Sequence, residues 1–213
     1  MTLQDYSFNS GSAKADKMVV FLHGYGADGK DLISIAPMWA DELKNTVFFA
    51  PNAPEPCEMS PMGFQWFSLM DRSEASMTAG AKSVRNILEK YIRQKLDDTG
   101  LQMKDVAIVG FSQGTMMALY TMPRLDQACA GVLGYSGRLV AVDSLKSEQK
   151  SKFPICAIHG TADEIVPFDS LAGIAEGFDG QDVKTHSRAN LGHGIDDEGL
   201  RIGLQFLQKV LKT

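Results

Sequence analysis

Short runs of apolar, β-branched and aromatic residues alternate along the chain with longer segments in which apolar residues recur every three to four positions. The runs fall at 18–22, 46–50, 106–109, 131–135, 155–158 and, more weakly, 183–186. Apolar on both alternating faces, they read as strands covered by helices on both sides, the pattern of a parallel sheet. Helical period is clearest over 74–96. There Met77, Ala81, Val84, Leu88, Tyr91 and Ile92 form one stripe, with Ser73 placed to cap the start and Gly100 beyond the end. In 196–211 the stripe is Leu200, Leu204, Leu207 and Leu211, widened by Phe206 and Val210, and Asp196 and Asp197 suit the positive helix start. Segments 31–43, 115–122 and 168–177 fill the remaining helical slots. The proline-rich stretch 51–56 is too short for a linker and reads as a rigid loop across the end of the sheet. The expectation is one α/β domain over 1–213: a mostly parallel sheet flanked by helices on both faces, with no large cap domain.

Charge and cysteine content narrow the picture. The 213 residues carry 21 Lys+Arg against 26 Asp+Glu, a formal net charge of −5. No basic run offsets that charge, so nucleic acid is not an expected partner. No apolar run approaches the roughly 20 residues needed to cross a bilayer. The start, from Met1 to Tyr6, lacks a basic region followed by an apolar one, so no secretory signal is expected. Cys57, Cys129 and Cys156 are an odd set without CxxC spacing. They read as reduced, mostly buried thiols rather than a disulfide framework or zinc site, which points to the cytoplasm.

The sharpest chemical signal is Gly110-Phe111-Ser112-Gln113-Gly114, directly after a predicted strand and directly before a predicted helix. A serine that must stand above the sheet on a strained turn presses the positions two before and two after it against neighbouring backbone. Glycine there removes the side chains that would clash. The following helix aims free N–H groups and its positive end at the place where negative charge develops in acyl transfer.

A serine hydroxyl needs a base to attack an ester at neutral pH. The four histidines are His23, His159, His186 and His193. His23 and His159 end predicted strands in His-Gly pairs, where their backbones shape loops, and His186 lies in the weakest strand. His193, in Leu191-Gly192-His193-Gly194 before the last helix, stands where a base is expected in the chain order Ser…Asp…His. Asp163, in the turn after the 155–158 strand, is the carboxylate expected to accept the Nδ1–H of that base. Glu164 and Asp169 compete, one where the loop turns away and the other at the start of the next helix.

Two donors are needed for the oxyanion of a tetrahedral intermediate. The N–H of Gln113 is one, and the N–H of Tyr25, in the glycine-rich turn after the first predicted strand, is the other candidate. That turn lacks the lysine and spacing of a phosphate-binding loop. With FLHGYGADG at 21–29, PNAPEP at 51–56, QWF at 65–67, GFSQG at 110–114, HGTADEIVP at 159–167 and GHGI at 192–195, the chain resembles the phospholipase/carboxylesterase family of α/β hydrolases. That family includes acyl-protein thioesterases and small bacterial carboxylesterases. The resemblance implies the α/β-hydrolase fold, a Ser112–His193–Asp163 triad and Tyr25 and Gln113 as backbone oxyanion donors. Tyr25 stands where leucine is usual, which alters the pocket wall and leaves the backbone donor intact.

The expected activity is hydrolysis of small or short-to-medium acyl esters through an acyl-enzyme, without metal or organic cofactor. Acyl-protein thioesterase and lysophospholipase activities use the same machinery, and a ligand-binding protein of this fold is the non-enzyme alternative. The expected partner is a small acyl ester or thioester; a homodimer is compatible with the sequence, which does not set the oligomeric state. Trp66 is either a wall of the substrate pocket or a packed loop anchor. Met59, Met62, Met70, Met116 and Met117 read as core filling in preference to an acyl groove.

Overall fold

The computed structural model describes residues 3–11 and 14–213; Met1 and Thr2, at the head of the segment read for a leader, lie outside the described residues. In chain order the elements are β1 (Asp5–Asn9), β2 (Lys17–Leu22), α1 (Gly29–Ile33), α2 (Ala36–Trp39), β3 (Thr46–Pro51), β4 (Glu55–Pro56), β5 (Phe64–Gln65), α3 (Glu74–Thr99), β6 (Val106–Phe111), α4 (Gln113–Thr121), β7 (Gly131–Tyr135), α5 (Val142–Glu148), β8 (Ile155–Gly160), α6 (Ser170–Gly177), β9 (Val183–Arg188) and α7 (Asp197–Leu211). Seven strands form one sheet in the order β1-β3-β2-β6-β7-β8-β9, and β4 and β5 make a separate two-stranded ribbon. All neighbours in the large sheet are parallel except β1 and β3, which pair antiparallel with Tyr6 opposite Ala50 and Phe8 opposite Phe48.

The strands alternate between two cores. Met18, Val20 and Leu22 of β2, with Val106 and Ile108 of β6, pack beneath α3, α4 and α6. Val19 and Phe21, with Ala107 and Val109, pack on the opposite face against α1, α2 and α7. A period of two with both faces buried leaves no polar side to a central strand, which is why these segments read as continuous apolar runs. The six-residue stripe expected on α3 is buried throughout, Ser73 accepts the Ser76 N–H as its cap, and Gly100 closes the helix in the left-handed conformation at φ 74°. Among the described residues no helix is long and apolar enough to cross a membrane. Cys57, Cys129 and Cys156 are buried and unbonded.

Four expectations need correction. The helix expected over 31–43 is two short helices, α1 and α2, because Pro37 supplies no N–H for the Ile33 carbonyl four residues back and is suited to the first turn of a new helix, where it stands in α2. β1 was not expected; it is an edge strand with no fully buried residue, so it carries no apolar run. α5 was not expected either, since Leu145 is its one buried residue and no stripe can form. Met59, Met62 and Met70 do not fill the core: they are 69%, 88% and 68% exposed, whereas Met116 and Met117 are buried.

Candidate active site

β6 delivers Ser112 to the C-terminal edge of the sheet on a turn with φ 52° and ψ −113°. That region is sparsely populated for any L-residue and costs on the order of 1–3 kcal/mol, so the surroundings must impose it. They do so by close packing. A Cβ on Gly110 would lie 2.5 Å from the Thr115 nitrogen, and one on Gly114 would overlap the Leu22 carbonyl and lie 2.8 Å from the His23 carbonyl oxygen. Each glycine therefore lets one element approach: the first helix turn against β6, and the end of β2 against α4.

The two partners arrive from the strands beyond β7. Asp163 sits in the turn after β8, and His193 in the loop between β9 and α7. His193 Nδ1 lies 2.8 Å from Asp163 Oδ2, and His193 Nε2 lies 3.0 Å from Ser112 Oγ. The imidazole packs on Phe111, with ring centroids 4.9 Å apart. The other oxygen of Asp163, Oδ1, accepts the N–H groups of Ile165 and Val166, both at 2.9 Å. A short carboxylate side chain can close this turn on its own loop two and three residues ahead. Glu164 and Asp169 are exposed and take no part. Burial alone would push the Asp163 carboxyl up; the Val166 N–H, the His193 imidazole and the Ile165 N–H outweigh it and hold the group below the ordinary aspartate range. The carboxylate is thus kept ionised with only acceptor capacity toward His193.

Three buried side chains that the sequence reading passed over hold this assembly. His159 Nε2 faces two acceptors, the Val166 carbonyl at 2.9 Å and Asp163 Oδ2 at 3.3 Å, so Nε2 carries the proton and donates to both. Gln113 is fully buried; its Oε1 accepts the Trp66 N–H at 3.0 Å and its Nε2 donates to the Phe67 carbonyl at 2.7 Å, clamping that loop to the elbow. His23 spans two loops, Nδ1–H donating to the Gly24 carbonyl at 2.7 Å and Nε2 accepting the Ala53 N–H at 2.9 Å. The shaping role of His23 and His159 therefore lies in their rings and not only in their backbones.

Burial holds the His23 imidazole below the ordinary histidine range, against the opposing pull of the Gly24 carbonyl, Asp28 and Asp31. The sign follows directly. As pH falls below about 6.5 the unfolded chain protonates this ring first, so stability present above that pH is lost down to the folded-state pKa, by up to about 1.4 kcal/mol per pH unit. Urea unfolding at pH 7.5 and 5.5 should show a smaller loss for His23→Gln than for the unsubstituted protein; equal losses would assign the effect elsewhere.

Tyr25 and Ser112 line one cavity of about 190 Å³ together with Leu69, Met77, Met116 and His193. Among the described residues neither the Tyr25 N–H nor the Gln113 N–H has a protein acceptor. Gln113 opens α4, so its N–H has no intrahelical partner. Trp66 does not line this cavity. It is fully buried, and its indole N–H donates to the His23 carbonyl at 3.0 Å, which makes it a loop anchor and not a pocket wall.

A mostly parallel sheet that gathers serine, imidazole and carboxylate at the C-terminal ends of its strands defines an α/β hydrolase. The chain belongs to the phospholipase/carboxylesterase family, whose model matches residues 4–211. Acyl-protein thioesterase 1 of Debaryomyces hansenii is 29% identical over 218 residues, spanning 93% of this chain and 93% of that protein. Esterase YpfH of Escherichia coli is 24% identical over 196 residues, spanning 91% and 83%. The crystal structure of esterase PE8 superposes with a TM-score of 0.93 at 36% identity, covering 99% of this chain and 100% of that one. This protein is accordingly an ester-hydrolysing enzyme.

Proposed function

We propose that the enzyme is a serine carboxylesterase acting on small or short-to-medium acyl esters, with Ser112 as nucleophile, His193 as general base and acid, and Asp163 as the group that orients the imidazole. The observation that carries the reading is the unbroken chain of contacts, 2.8 Å from Asp163 to His193 and 3.0 Å from His193 to Ser112. His193 Nε2 takes the proton from Ser112 Oγ as the Oγ–carbonyl bond forms. The carbonyl oxygen takes up the electron pair and is held by the Tyr25 and Gln113 N–H groups. When the tetrahedral intermediate collapses, the bond to the leaving oxygen or sulfur breaks, and His193 returns its proton to that atom. Water then enters and gives a proton to His193 as its oxygen bonds to the acyl carbon; the bond from that carbon to Ser112 Oγ breaks, His193 returns the proton to Oγ, and the acid leaves.

The cavity of about 190 Å³ is small beside the roughly 300–1,000 Å³ of ordinary ligand pockets, which favours a short acyl group. The exposed Met59, Met62 and Met70, on the loops flanking the anchored Trp66, favour a second reading. A longer acyl chain leaving the cavity would meet apolar surface there, as deacylation of S-acylated proteins requires. A series of p-nitrophenyl esters from acetate to palmitate, beside a palmitoyl thioester, separates the two. The expected result is a kcat/KM that peaks at short or medium length and falls at least about tenfold by palmitate, a loss of ~1.4 kcal/mol in transition-state stabilisation. A maximum at the palmitoyl thioester would replace the carboxylesterase with the thioesterase.

A further inference from the structure

The wall of the catalytic cavity is charged in one sense. Its lining includes two arginines, Arg72 and Arg138, and no carboxylate, in a chain whose acidic residues outnumber its Lys+Arg by 26 to 21. Arg72 comes from the turn before α3; it is exposed, and it makes no ion pair among the described residues. Arg138 comes from the loop after β7 and is positioned by Glu74, the first residue of α3. Glu74 accepts the Ala141 N–H at 2.8 Å through Oε1 and an Arg138 Nη2–H at 3.2 Å through Oε2. With Nε–H directed at the Leu139 carbonyl, 3.4 Å away, three of the five guanidinium donors of Arg138 remain uncommitted. Glu74 offsets one of the two guanidinium charges, and the open donor forks match the planar, two-oxygen geometry of a carboxylate. The neighbouring acids are not among the lining residues and are held by neutral donors: Asp71 accepts from the Ser73 N–H and hydroxyl, and Glu58 accepts from the Tyr25 and Ser68 hydroxyls. The rest of the wall, Leu69, Met77, Met116 and Val166, is apolar and suits the methylenes between ester and carboxylate.

We propose that the preferred substrates are short esters bearing a free carboxylate, bound by Arg72 and Arg138 while the ester carbonyl lies at Ser112. This rests on the serine-esterase reading and deepens it by naming the substrate class. A cavity of about 190 Å³ suits a carboxylate held a few methylenes from the ester carbonyl.

The test is a pH-stat comparison at low ionic strength of monoethyl glutarate with its uncharged isostere, ethyl 5-methylhexanoate. A second pair, 3-carboxypropyl acetate and 4-methylpentyl acetate, carries the difference on the alcohol side. The expected result is a kcat/KM at least about tenfold higher for the carboxylate in one pair, which also tells which side the arginines read. Arg72→Gln, which removes no side-chain bond among the described residues, should collapse that ratio toward unity, and Arg72→Glu should invert it. Salt should erode the preference, since the exposed Arg72 is screened. Equal or lower kcat/KM for the carboxylates in both pairs, or a ratio untouched by Arg72→Gln, overturns the proposal while leaving the esterase reading in place. Failure of the parent reading looks different: no ester of either kind is turned over, and a fluorophosphonate does not label Ser112.

Discussion

Ser112→Ala is expected to lower kcat by about 10⁶ while leaving the protein folded. The size follows from what the hydroxyl does. Without Oγ no acyl-enzyme can form, and His193 has no proton to accept at 3.0 Å; the two backbone N–H groups and substrate binding remain and retain on the order of 10³–10⁴ over water. Folding is spared because, among the described residues, the side chain of Ser112 contributes a single hydrogen bond, and alanine pays the same conformational cost at φ 52° as serine. A fluorophosphonate offers an independent readout. Ser112 Oγ should displace fluoride and form an Oγ–phosphorus bond, giving one stoichiometric mass adduct that the variant lacks. His193→Ala should cost nearly as much, and the double variant little more than either alone, because residues acting as one unit are not additive. A loss of only tenfold in the Ser112 variant, with folding intact, would overturn the nucleophile assignment.

What was legible in the sequence divides along one physical line. Features dictated by local sterics or by a one-sided core could be read directly. The α3 stripe from Met77 to Ile92 had to appear every three to four residues because one helix face lies on the sheet. Gly110 and Gly114 had to be glycines because a Cβ at either would meet backbone. The candidate site residues Ser112, Asp163 and His193 each follow a strand, where chain order alone narrows the choice. Features set by contacts across the fold could not be read. Gln113 holds residues 46 and 47 positions away, and His23 reaches 30 positions to Ala53; neither leaves a periodic or compositional trace. Arg72 and Arg138 are separated along the chain in the same way, and only the shared cavity brings them together. The edge strand β1 was lost for a related reason: its Tyr91 hydroxyl contact at Asp5, 2.8 Å long, spans 86 positions, and its own residues carry no apolar run.

Asp163→Asn is expected to reduce kcat by about 10⁴, far beyond the loss of one hydrogen bond, because the amide imposes the wrong histidine tautomer. The geometry leaves asparagine little choice. Position Oδ1 receives two N–H groups, from Ile165 and Val166, each at 2.9 Å, so the amide oxygen must occupy it and the NH₂ must take the place of Oδ2. That NH₂ then donates to His193 Nδ1, where the native carboxylate accepts at 2.8 Å. His193 Nδ1 becomes the acceptor, the ring proton moves to Nε2, and the nitrogen facing Ser112 can no longer take its proton. The same NH₂ confronts the His159 Nε2–H, which lies 3.3 Å from Oδ2 in the native arrangement and is committed to the Val166 carbonyl; the variant therefore also places two donors against each other in a buried site. Asp163→Ala lacks the opposed NH₂ and leaves the tautomer free, so it should retain more activity than Asp163→Asn under alkaline conditions. The ranking is measurable from pH–rate profiles of both variants, with the ¹⁵N shifts of His193 reporting the tautomer. An Asp163→Asn enzyme within tenfold of the unsubstituted protein, its ring still protonated at Nδ1, would mean that the carboxylate serves only to close its own turn.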